Sequence, residues 1–111
     1  FALNADIFFS ISHCNEMVVC AVSAKPIGID VEFLRDIELN VTRFACTEKD
    51  IAFVFETESL DEQRERFFRL WTAKEAFYKK GDSAVNGIRS IDTFSFEKQS
   101  FLNEGYCITL V

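Results

Sequence analysis

The chain has 111 residues, enough for one domain with a modest core, and 49% of them are hydrophobic, which excludes a disordered chain. Its formal charge of -6 argues against general affinity for nucleic acid or anionic membrane, because both require a positive surface. No run of about 18 apolar residues occurs, so no membrane-spanning helix is expected, and four scattered Cys with one His form no zinc pattern.

Cys14, Cys20, Cys46 and Cys107 read as reduced, mostly buried thiols of a cytoplasmic protein. The stretch from Phe1 to Ile11 is apolar but lacks the basic start and small-residue cleavage site of a signal peptide, and without an initial Met a trimmed N-terminus is expected. "IFFSIS" (7–12) and "MVVCAV" (17–22) are β-rich runs, and the intervening "HCNE" suits a hairpin with His13 at its turn. Pro26 closes the second run, Gly28 allows a bend, and Ile29 to Phe33 makes a third strand.

Residues 40–56 carry apolar side chains at near-helical spacing, with a break near "CTEKD", where Thr47 ahead of Glu48 and Asp50 resembles a helix start. The strongest helical pattern runs from Leu60 to Lys80, capped by Asp61 and ended by Gly81, with Phe67, Leu70, Trp71, Phe77 and Tyr78 on one broad side. "DTFSFE" (92–97) and "YCITLV" (106–111) alternate as a hairpin joined through Asn103, Glu104 and Gly105. This order predicts one α+β domain over residues 1–111, an antiparallel sheet packed against helices.

Charge is unevenly distributed: residues 62–81 hold six Lys or Arg against three acids, inside an acidic chain. Asp30 and Glu32 lie two apart on the third strand and so share a face, with roughly 6.5–7 Å between their Cα atoms. Two carboxylates that close remain ionised only with water or a cation between them, so a solvated edge strand and a metal site both fit. On the long helix, Phe68, Thr72, Glu75 and Lys79 fall within about 60° of one another. Glu75 and Lys79 suit an ordinary pair four residues apart. Together with Asp30 and Glu32, they also suit an oxygen-ligand site for Mg²⁺ with a lysine facing phosphate. His13 is equally a turn histidine held by backbone or, with Ser12, a phosphate contact.

"SISHC" (10–14), "PIGIDVE" (26–32) and "FFRLWTAKEAFYKKG" (67–81), in that order, resemble the 4′-phosphopantetheinyl transferases, specifically the broad-specificity type that activates peptide and polyketide synthetases. The resemblance implies that Asp30, Glu32 and Glu75 bind Mg²⁺, with Mn²⁺ an alternative, and that the ion holds the pyrophosphate of coenzyme A. It implies that Glu75 is the general base, with Glu48 a lesser candidate, and that Lys79 neutralises the breaking pyrophosphate. Ser12, His13, Lys74 and Lys79 would contact coenzyme A, and an apo acyl or peptidyl carrier protein would supply the acceptor serine. The acidic carrier would dock on the locally basic helix region; in the alternative, a non-catalytic module, Arg64, Arg66 and Arg69 would grip an acidic carrier or another partner.

Three departures stand out: Cys14 where the family has Ser, "DSAVNGI" after Gly81, and a length that matches the second of two related halves. The chain is therefore expected to be a fragment of a longer protein or to self-associate. A non-catalytic half-domain that binds a carrier is the alternative function, and a metal-dependent phosphohydrolase is a third.

Overall fold

A computed structural model describes residues 2–4, 7–81 and 87–111, so most of the "DSAVNGI" departure (82–86) lies outside the described residues. The expected α+β architecture is present as two three-stranded antiparallel sheets packed with helices. The first sheet has the order β1 (Ala2–Asn4), β2 (Ile7–Cys14), β3 (Met17–Ser23). The second has the order β4 (Ile29–Phe33), β6 (Tyr106–Leu110), β5 (Gln99–Asn103).

The β2–β3 hairpin is tighter than the sequence suggested. His13 pairs with Val18 and Cys14 with Met17, leaving Asn15 and Glu16 as a two-residue turn, with Asn15 at φ 53°. Asn accepts this left-handed backbone more readily than most residues, so it takes the turn, and His13 becomes a strand residue.

The region between β4 and the long helix folds as two short helices, α1 (Leu39–Ala45) and α2 (Glu48–Val54). Thr47 caps α2: its hydroxyl accepts from the Asp50 amide at 3.2 Å, and the Asp50 carboxylate accepts from the Thr47 amide at 2.9 Å. The long helix α3 spans Leu60–Lys79, and its N-cap is Ser59, whose hydroxyl accepts from the Glu62 amide, rather than Asp61. Gly81, at φ +100°, takes the left-handed conformation that ends it.

"DTFSFE" is not a strand. The Asp92 carboxylate accepts from the Phe94 amide at 3.0 Å, and the Ser95 hydroxyl donates to the Asp92 carbonyl at 2.7 Å, which winds the segment into turns. Its phenylalanines act as feet: Phe94 meets Phe53 of α2 edge to face, and Phe96 stacks on Phe77 of α3. The strand begins later, at Gln99, and joins β6 through Glu104 and Gly105, both at positive φ.

Two core clusters hold β4 in place. Ile29 and Val31 pack with Ala21 and Ile108 between the sheets, while Cys107 of β6 joins Val54, Phe67, Phe68 and Leu70 beneath the helices. Asp30 pairs with Thr109 and Glu32 with Cys107, so both acids lie on the face turned toward α3. Two of the four thiols, Cys46 and Cys107, are buried as expected, but Cys20 is exposed on the outer face of β3 and Cys14 is half-buried.

Candidate active site

Gly28 sets the distance between β4 and α3. A Cβ at this position would stand 1.8 Å from the Ala76 carbonyl oxygen, so only glycine lets the strand approach the helix this closely. The sequence pointed to a bend; the structure shows a close contact between backbones, with Ala76 fully buried opposite. One turn along the strand, this contact delivers Asp30 to the stripe of α3 that carries Glu75 and Lys79.

Asp30 is 5% exposed. Its Oδ1 accepts from the Ser12 hydroxyl at 2.9 Å and from Lys79 Nζ at 3.0 Å. Its Oδ2 is buried with no hydrogen-bond partner. Burial pushes the Asp30 carboxyl above its ordinary value, against the opposing pull of the Lys79 ammonium and the Ser12 hydroxyl. Glu75 makes no hydrogen bond or ion pair among the described residues. Burial first, then the Asp30 charge and to a lesser degree that of Glu32, raise its pKa, with Lys79 acting the other way. The three carboxylates thus sense one another across strand and helix. Glu32 is turned aside: its Oε2 accepts from Arg35 Nη1 at 3.2 Å, and Cys14 Sγ lies 3.9 Å away.

Among the described residues, no three acidic, thiol or imidazole groups stand close enough together to hold a metal ion. The donor set nonetheless fits a hard cation. A buried, unpartnered carboxylate oxygen costs free energy that a cation could offset, and carboxylate oxygens such as those of Asp30 and Glu75 are the type of donor that Mg²⁺ takes.

The remaining sequence candidates divide. Ser12 and Lys79 join Asp30, whereas His13, next along β2, is exposed on the opposite face. Lys74 lies apart from the carboxylates. It is fully buried, and its ammonium donates to the Ala45 carbonyl at 3.0 Å, the Arg89 carbonyl at 2.6 Å and the Asp50 carboxylate. All three donors are used, so Lys74 ties the end of α1, the start of α2 and the turn Ile88–Ser90 to α3. The sequence carried a signal for this, because Phe67, Leu70 and Lys74 follow the spacing of the buried stripe. Glu48 is exposed at the first position of α2.

The basic helix is neutralised within the fold. Arg64 pairs with Asp36 and Asp61, Arg66 with Glu56, and Arg69 with Glu65. Sequence reasoning missed a different basic feature, a cleft of about 460 Å³ lined by Arg43, Phe44, Trp71, Gly87, Ile88 and Arg89. Neither arginine has an acidic partner among the described residues. Phe44 is 80% exposed at its edge.

The pattern of the 4′-phosphopantetheinyl transferase superfamily matches residues 26–107. The chain is 38% identical over 74 residues to the 4′-phosphopantetheinyl transferase gsp of Aneurinibacillus migulanus, covering 67% of this chain and 31% of that protein. It is 34% identical over 93 residues to a 4′-phosphopantetheinyl transferase of Bacillus subtilis, covering 81% and 39%. It is 33% identical over 91 residues to the 4′-phosphopantetheinyl transferase HetI of a Nostoc species, covering 78% and 37%. The matches thus span about a third of the length of these relatives, and no helix among the described residues is long and apolar enough to cross a membrane. On the match over most of its length, this chain belongs to the 4′-phosphopantetheinyl transferase superfamily.

Proposed function

We propose that this chain carries the reactive carboxylates of an Mg²⁺-dependent transferase that moves 4′-phosphopantetheine from coenzyme A to a serine of an apo acyl or peptidyl carrier protein. The observation that supports it most is the meeting of Asp30, with its unpartnered buried Oδ2, and the unpaired Glu75 beside Lys79. Asp30 and Glu75, with Glu32 released from Arg35, would hold Mg²⁺, or Mn²⁺ in its place. Bound there, the ion offsets negative charge on the pyrophosphate.

The serine oxygen bonds to the β-phosphorus of coenzyme A as the bond from that phosphorus to the bridging oxygen breaks. The electron pair leaves with 3′,5′-adenosine bisphosphate. Glu75 takes the serine proton, directly or through water. Lys79 Nζ donates to Asp30 Oδ1 at 3.0 Å and to the Ile29 carbonyl at 3.4 Å, and its third donor can turn to the leaving pyrophosphate oxygens.

The carrier surface that the fold favours is the cleft of Arg43, Phe44, Trp71, Ile88 and Arg89, where unpaired positive charge borders an apolar floor. This cleft also supports the second reading, a half-domain that binds a carrier without modifying it. The mass of an apo carrier protein incubated with this chain, coenzyme A and Mg²⁺ separates the two. A gain of one phosphopantetheine with the wild type and none with Glu75→Gln is expected. Carrier binding that persists in chelator, with no mass gain, would establish the binding module instead.

A further inference from the structure

Strand β4 forms one edge of its sheet. Gly28 and Val111 exchange backbone hydrogen bonds at 3.1 and 2.9 Å, so alternate residues of β4 spend their amides on β6 while those of Ile29 and Val31 point off the free edge. Strand β2 crosses that edge with its own backbone already paired to β3. Its inward hydroxyls take the place of a partner strand: Ser10 Oγ accepts from the Ile29 amide at 3.1 Å, and Ser12 Oγ accepts from the Val31 amide at 3.3 Å.

Ser12 does one thing more. Its hydroxyl proton goes to Asp30 Oδ1 at 2.9 Å, so the buried serine is satisfied on both sides by β4. Lys79 holds the same oxygen from the opposite element, α3. With Oδ1 fixed from two directions, the carboxylate plane is set, and Oδ2 is the oxygen left to accept. Ser10 makes the same kind of edge contact but touches no carboxylate. The row thus contains its own control.

We propose that Ser12 is a positioning residue for Asp30, holding it through Oδ1 so that Oδ2 faces the cation. The inference rests on the reading of Asp30 and Glu75 as a divalent-cation site. Groups that orient a metal ligand from behind are typically worth about tenfold or more in metal affinity, whereas a residue that touches only substrate leaves that affinity alone.

The test is Mn²⁺ binding, followed by the electron paramagnetic resonance of the free ion, for the wild type, Ser12→Ala and Ser10→Ala. Ser12→Ala is expected to weaken Mn²⁺ about tenfold while Ser10→Ala, which removes an edge bond alone, leaves it unchanged. Ser12→Cys keeps the crossing packed, exchanges a strong donor for a weak one, and is expected to fall between wild type and Ser12→Ala. Unchanged affinity in both Ser12 variants would overturn the proposal, as would an equal loss in Ser10→Ala, which would mark general loosening of the crossing. A wild-type chain that takes up no Mn²⁺ would remove the cation site itself, and the positioning role with it.

Discussion

Glu75 is the clearest case of a side chain whose setting opposes its charge. Burial and the neighbouring Asp30 raise its pKa, and burial does the same to Asp30, so the folded protein holds these protons more tightly than the unfolded chain does. The resulting stability is fully present below the ordinary values of 3.8 and 4.5 and is lost as pH rises through the raised folded values. In chelator at neutral pH, Glu75→Gln is therefore expected to melt a few degrees above the wild type, with the gap closing on acidification; thermal unfolding across pH checks this. A variant that melts lower at neutral pH would mean that Lys79 outweighs the repulsion. The acids themselves were legible, since period two puts Asp30 beside Glu32 and helical spacing puts Glu75 beside Lys79. The roles of Ser12 and Lys74 were less so. Ser12 meets Asp30 only because two sheets cross, and Lys74 meets acceptors from three separate segments.

Among the elements, β4 and α3 act as one unit because Gly28 lets them touch. Gly28→Ala would drive a methyl into the Ala76 carbonyl, and since backbone on both sides must shift, a loss of roughly 1–3 kcal/mol or more is expected in urea unfolding. The same variant should lose any bound divalent cation, because Asp30 would be carried away from Glu75. Unchanged stability would show that strand and helix lie further apart than described. Strong local signals located most elements: the helix start at Thr47, the Gly81 stop, and the β-branched run of β4 all stand where the sequence placed them. "DTFSFE" misled because alternating phenylalanines mark a strand or a loop with aromatic feet equally well. The Asp92 side chain and the facing rings of Phe53 and Phe77 decided it, and the rings come from elsewhere in the chain.

Across the whole molecule, local charge in the sequence did not survive folding. The basic stretch of α3 is matched by Asp36, Glu56, Asp61 and Glu65, while Arg43 and Arg89, 46 residues apart, meet across one cleft through the Arg89 Nε bond to the Arg43 carbonyl. The cleft presents unpaired arginines around apolar surface, while Asp30, Glu32 and Glu75 gather where their charges oppose one another. Binding to the folded state alone raises the melting temperature, so the gathering of those acids can be measured without any substrate. The most direct measurement is the melting temperature of wild type and Glu75→Gln with and without Mg²⁺ at neutral pH. A rise on adding Mg²⁺ in the wild type that is absent or much reduced in Glu75→Gln is the predicted result. An equal rise in both proteins, or none in the wild type, would contradict a cation site shared by β4 and α3.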